Sequence, residues 1–240
     1  MFYAIATAFT RAVLRLLTRY EVHGLEFVPL QGPLVLVSNH ISWMDPPTLG
    51  GLLPRKIRFM AKEDLFKTPV VGWVVAAYEA FPVRRGEADR QALRTAIKLL
   101  DQGQVIGMFP EGTRSKAGQI QPGHAGAALV ALRSGAPVLP IALTGTQMVW
   151  RWPNILLRPK FAMTIGPVFH LERQAGASSH ELLDDGVVQM MRHIAVLLPP
   201  EYLGTYGESL VRGCRVELTS PSPPGSGNPT SPSPSGRGLG

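Results

Sequence analysis

The feature that most constrains this chain is an alternation. Apolar runs of strand length at residues 34–38, 56–61, 80–83, 105–109, 137–143 and 161–169 are separated by stretches of helical character. Parallel neighbours need a crossover between them, and a helix usually supplies it. The expected fold is therefore α/β, a mostly parallel sheet flanked by helices. The helical stretches are 69–78, wholly apolar until its last residue; 87–100, with Leu93, Ala96, Ile97 and Leu100 on one stripe; the alanine-rich 123–134; and 178–197. Asp45-Pro46-Pro47 reads as a helix start, with Asp45 as N-cap and proline in the first turn.

Residues 1–20 read as an amphipathic helix. Phe2, Ile5, Phe9, Val13, Leu16 and Tyr20 step by three and four, while Arg11, Arg15 and Arg19 step by four onto the opposite face. Such a helix suits a membrane interface; packing on the protein's own core with a solvated basic face is the alternative. No uncharged stretch escapes Gly and Pro for long enough to read as a membrane span. The N-terminal arginines follow the apolar residues instead of preceding them, which is wrong for an export signal. The expected location is the cytoplasmic face of a membrane, held peripherally or monotopically. The main domain is read as 21–200, followed by an extension, 201–218, and a disordered Ser/Pro/Gly tail, 219–240. The 24 basic against 17 acidic residues, a formal +7, call for an anionic partner: a phospholipid surface, a phosphorylated substrate or nucleic acid. With Cys214 as the one cysteine, neither an internal disulfide nor a cysteine metal cluster can form.

Three polar segments carry candidate chemistry. In Asn39-His40-Ile41-Ser42-Trp43-Met44-Asp45, a sharp turn would bring the carboxylate onto the imidazole and fix the tautomer whose free nitrogen accepts a proton. On this segment alone a core histidine beside a helix-capping aspartate is the favoured reading. Phe109-Pro110-Glu111-Gly112-Thr113-Arg114-Ser115 offers hydroxyls, a guanidinium fork and turn amides, a set able to hold phosphate. An ordinary polar turn is the plainer alternative. The third segment, Phe81-Pro82-Val83-Arg84-Arg85-Gly86, ends a strand with two cations that would complete an anion pocket beside the second.

Together these segments resemble a known family. Asn-His-x4-Asp at Asn39–Asp45, Phe-Pro-Val-x-Arg at Phe81–Arg85, Phe-Pro-Glu-Gly-Thr-Arg at Phe109–Arg114 and Val-Leu-Pro-Ile-Ala at Val138–Ala142 look like the four ordered blocks of the glycerolipid acyltransferases. The nearest type is the 1-acylglycerol-3-phosphate O-acyltransferases, and the resemblance spans residues 24–167. It reverses the plainer reading of His40 and Asp45. It implies His40 as catalytic base and Asp45 as its orienting partner. It also implies acceptor binding by Glu111, Gly112, Thr113 and Arg114, with Arg114 near the phosphate, and a part for Pro140 in shaping the acyl region. The family's arginine falls best on Arg85; Arg84 stands where relatives often carry aspartate. The implied reaction is acylation of 1-acyl-glycerol-3-phosphate to phosphatidate, with acyl-CoA or acyl-carrier protein as co-substrate and no cofactor or metal. Other lysophospholipids, glycerol 3-phosphate and lyso-amino-acid lipids are alternative acceptors. Backbone amides near the His40 turn are the expected oxyanion donors.

Rival chemistries lack their residues. No Gly-x-Ser-x-Gly and no His-Glu-x-x-His occurs, and Gly118-x4-Gly123 is followed by His124 where a phosphate loop needs lysine. His124 reads as a solvated residue at a helix start. Aromatic content of 8%, without an interleaved basic-aromatic stripe, argues against nucleic acid. A non-catalytic basic module that binds membranes is the alternative of a different class. Oligomeric state is left open.

Overall fold

The computed structural model describes residues 2–83, 89–149, 157–172 and 178–211. In chain order the elements are α1 (Phe2–Leu17), β1 (Arg19–His23), β2 (Leu34–Ser38), α2 (Asp45–Leu52), β3 (Ile57–Lys62), α3 (Pro69–Ala77), β4 (Phe81–Val83), α4 (Arg90–Asp101), β5 (Val105–Met108), α5 (Ala125–Ser134), β6 (Val138–Thr144), β7 (Lys160–Ile165), α6 (Ser179–Ala195) and α7 (Pro200–Val211). Local chemistry sets several boundaries. α4 starts at Arg90, later than the apolar spacing suggested, because the Asp89 carboxylate accepts from the Gln91 and Ala92 amides. α6 opens on a capping box between Ser178 and Glu181.

The sheet has seven strands in the order β1-β7-β6-β2-β5-β3-β4. Every pairing is parallel except β6 with β7. The α/β fold with a mostly parallel sheet is therefore as expected. Central β2 is buried along its whole length, which is why Leu-Val-Leu-Val reads as a continuous apolar run. Val35 and Val37 pack with residues of α4, α5, α6 and α7 on one face. Leu34 and Leu36 pack with Leu49 of α2 on the other. β2 and β5 are neighbours whose crossovers leave to opposite faces, one through α2 and one through α5. Their carboxyl ends open a crevice of the kind in which α/β sheets bind ligands.

Two elements depart from the expectation. The first helix ends at Leu17, and residues 19–23 form β1, a strand at the sheet's edge paired with β7. Tyr20 thus belongs to no helical stripe; its ring stacks on Phe161. Residues 200–211 form α7, bent at Gly204 (φ 57°), and its Leu203 and Leu210 enter the main core. Packing also crosses the boundary drawn at residue 20, since Leu14 lies in a cluster with Met44, Val149 and Phe161.

α1 itself has three faces. Tyr3, Ala6 and Leu14 turn inward. Phe2, Ile5, Phe9 and Leu16 are exposed on one flank. Arg11 and Arg15 lie on the other flank, where the Arg11 guanidinium donates to the Gly51 carbonyl. Among the described residues no helix is long and apolar enough to cross a membrane.

Candidate active site

The five mutually parallel strands end on one edge of the sheet, and the chemistry-bearing loops follow them there. After β2 the chain turns so tightly that His40 Nδ1 lies 2.9 Å from Asp45 Oδ2. The same oxygen accepts from the backbone amides of Ile41 (2.8 Å) and Ser42 (2.7 Å). Asp45 is the first helical residue of α2, with Met44 at the N-cap, so its carboxylate reaches back into the turn instead of capping the helix. The other oxygen, Oδ1, accepts from the Thr146 hydroxyl at 2.6 Å, from the loop after β6. Asp45 is fully buried and His40 nearly so. With Nδ1–H donating to Asp45, neutral His40 keeps Nε2 as an acceptor. No protein group among the described residues bonds that nitrogen. The imidazole stacks on Phe109, ring centroids 4.1 Å apart.

The turn is braced on both sides. Asn39 exchanges two hydrogen bonds with the Leu143 backbone in β6, at 2.9 and 2.7 Å. Toward β5, the His40 amide donates to Glu111 Oε1 at 3.0 Å, and the Ser115 amide donates to the His40 carbonyl at 2.7 Å. The other oxygen of Glu111 accepts from the amide and the side chain of Gln121. Glu111 is 2% exposed. Burial pushes its carboxyl up to about 7, against the bonds from His40 and Gln121, and the Asp45 charge adds to the rise.

This placement separates the residues of the second block. Thr113 and Arg114 are exposed on the loop, where they line a cleft of about 500 Å³ together with Ser115, Lys116, Gln119 and Gln121. Gly112 holds φ +67°, and a Cβ there would come within 3.0 Å of the His124 ring. Glu111 instead turns inward, with both oxygens occupied by protein donors. His124 is exposed at the N-cap of α5, as expected. Pro140 is buried in β6, where its carbonyl accepts from the Gly166 amide. Arg84 and Arg85 lie outside the described residues.

Four of the backbone amides in the His40 turn, expected as oxyanion donors, are already engaged. The amides of His40, Ile41 and Ser42 serve the two carboxylates, and the Met44 amide donates to the Ser42 hydroxyl. Sequence reasoning missed Thr146, Gln121, Lys116 and the bracing role of Asn39. Thr146 stands 101 positions from its partner, and its only signal is Thr-Gly-Thr at the end of an apolar strand. Among the described residues no three His, Cys, Asp or Glu side chains come together as a metal-holding group.

The chain is similar to proteins of known activity. A sequence profile of the family described as Acyltransferase matches residues 19–144. The 1-acyl-sn-glycerol-3-phosphate acyltransferase of Bacillus subtilis is 32% identical over 174 residues, which are 72% of this chain and 85% of that protein. The chloroplastic 1-acyl-sn-glycerol-3-phosphate acyltransferase BAT2 of Brassica napus is 38% identical over 132 residues, 54% of this chain and 38% of that longer protein. In three dimensions the chain matches the crystal structure of the 1-acyl-sn-glycerophosphate acyltransferase PlsC of Thermotoga maritima. That match has a TM-score of 0.62 and 29% identity, and it covers 78% of this chain and 75% of the other. The profile takes in more than half of the sequence, including His40, Asp45 and Glu111, and stops two residues short of Thr146; on these grounds the chain belongs to the acyltransferase family.

Proposed function

We propose that this chain transfers a fatty acyl group from acyl-CoA or acyl-carrier protein to the free hydroxyl of 1-acyl-glycerol-3-phosphate, giving phosphatidate. The observation that carries the reading is the buried His40–Asp45 pair at the end of the central strand, beside a loop bearing Arg114 and Lys116. The names of the relatives supply the acceptor. The acceptor's hydroxyl donates to His40 Nε2. As its oxygen bonds to the thioester carbonyl carbon, the proton passes to Nε2 and Asp45 stabilises the imidazolium. The tetrahedral intermediate then expels the thiolate, which takes the proton from Nε2. No enzyme nucleophile enters this scheme.

The remaining residues take supporting parts. Thr113 and Arg114 have backbone amides with no protein acceptor among the described residues, and these are the oxyanion donors in this reading. Arg114 and Lys116 hold the acceptor phosphate, and the family resemblance assigns Arg85, with Arg84 next to it in sequence, to the same anion. Glu111 positions the His40 backbone, and Thr146 orients Asp45. Neither touches substrate. The exposed flank of α1, with Phe2, Ile5, Phe9 and Leu16, rests in the cytoplasmic leaflet where the lipid acceptor resides. The reading assigns no cofactor or metal.

The test is acyl transfer from labelled acyl-CoA and acyl-carrier protein to a panel of acceptors: lysophosphatidate, glycerol 3-phosphate, other lysophospholipids and a lyso-amino-acid lipid. Phosphatidate from lysophosphatidate is expected, and His40→Ala should lower kcat by about 10²–10⁴-fold or more. Product from another acceptor alone overturns the acceptor assignment. No product from any acceptor would leave the basic membrane-binding module standing. A trapped covalent acyl-enzyme overturns direct attack.

A further inference from the structure

α3 breaks the rule that a helix apolar on all sides is buried. Its nine residues, Pro-Val-Val-Gly-Trp-Val-Val-Ala-Ala, carry no polar side chain except the indole N–H. Yet Val70 is 76% and Trp73 59% exposed, and Val71 is exposed as well. The inner face is spoken for: Val74, Ala77 and Tyr78 pack on Tyr3 and Ala6 of α1. What remains outside belongs to the same helical layer as the exposed flank of α1. The Pro69 end of α3 follows β3 from the sheet edge that holds His40. On that edge Trp43, inside the catalytic turn itself, is also exposed.

Two kinds of occupant can cover such a surface. A protein partner brings about one hydrogen bond per 100–200 Å², and α3 offers almost nothing to bond. A bilayer asks for none, and tryptophan is the side chain enriched at the level of lipid headgroups. At nine residues α3 is far too short to span, which leaves insertion parallel to the surface. Lys67 precedes the helix, while Lys62 nearby is paired with Asp64, so local charge adds little. The wider attraction to anionic lipid comes from the chain's +7.

We propose that α3 is a second membrane-inserting element, with Val70 and Trp73 buried among phospholipid headgroups and upper acyl chains. α1 and α3 then fix two lines of contact. Together they prevent rotation about either helix and hold the mouth of the His40 site against the leaflet. The choice of a lipid occupant leans on the reading of a lipid-acting enzyme, and the geometry of α3 is independent of it.

The test uses the full chain with vesicles of phosphatidylglycerol and phosphatidylcholine, some brominated along the acyl chain. Trp73 is one of four tryptophans, so its share of the quenching is the difference between wild type and Trp73→Phe. The expected result is clear quenching in wild type, reduced in Trp73→Phe. Val70→Ser/Trp73→Ser should need roughly tenfold more lipid for half-binding, with kcat on detergent-dispersed lysophosphatidate unchanged. Equal quenching in wild type and Trp73→Phe overturns the proposal. So does a lipid-free dimer in sedimentation that the double variant converts to monomer, since a second copy would then be the occupant. If the double variant misfolds by circular dichroism, the Trp73→Phe comparison decides alone. Trp73 quenching without acyl transfer would sink the acceptor assignment and leave the membrane contact intact.

Discussion

At the scale of single residues, the site depends on how two buried carboxylates are used. Asp45 accepts four hydrogen bonds, and the one from Thr146 comes from the loop after β6, far from the His40 turn in sequence. Thr146→Val keeps the shape and removes the donor. It should lower kcat roughly tenfold, the rate equivalent of a hydrogen bond worth about 1.4 kcal/mol, with KM for the acceptor unchanged. A steady-state comparison checks this, and Thr146→Ser should restore the rate. Glu111 has the opposite problem. Its carboxyl sits near 7 in the folded chain, well above the ordinary 4.5. Between these values the unfolded chain has lost the proton and the folded chain retains it. Stability therefore falls as pH rises through that window, by up to roughly 3 kcal/mol. Denaturant midpoints at pH 5 and 8 should show the fall in wild type and a much flatter response in Glu111→Gln. The His40–Asp45 pair was legible because its seven-residue segment stands in order with the three other blocks; the segment alone favoured the plainer reading. The inward turn of Glu111 was not, because a carboxylate in a polar loop looks the same in sequence whichever way it points.

At the scale of elements, α1 shows how one stripe can be read from the sequence while the face that packs on the protein is missed. The apolar residues Phe2, Ile5, Phe9 and Leu16 do form a line, but the protein packs against the neighbouring line of Tyr3, Ala6 and Leu14. The helix is therefore both a structural cover and a candidate membrane contact, and substitutions can separate the two. Leu14→Ala should cost about 2–5 kcal/mol in unfolding free energy. Serine at Phe2, Ile5, Phe9 and Leu16 together should leave the unfolding midpoint nearly unchanged while weakening vesicle binding. Thermal melts and lipid sedimentation on the same variants give both readings. β1 escaped notice for a related reason. Arg-Tyr-Glu-Val-His lacks an apolar run because an edge strand is half wet, and the helical spacing before it carried through Tyr20. α7 was missed because Pro199-Pro200 reads as an ending, although proline is well tolerated in a helix's first turn.

For the whole molecule, the alternation of strands and helices was enough to set the parallel sheet, since five strands obey it. The reversal at β7 was not legible: nothing in Lys-Phe-Ala-Met-Thr-Ile distinguishes an antiparallel neighbour from a parallel one. That reversal governs how the protein is finished during synthesis. β1 has one partner in the sheet, β7, with Arg19 opposite Lys160, about 140 positions later. At ribosomal speeds the strand waits on the order of ten seconds for that partner to be made. Arrested nascent chains ending before residue 160 should be cut by protease near residues 19–23, and chains carrying β7 clear of the exit tunnel should resist. Residues 19–23 thus lack their strand partner until residues 160–165 have left the ribosome, so this edge of the sheet is closed late, after the strands that carry His40 and Glu111 are already made.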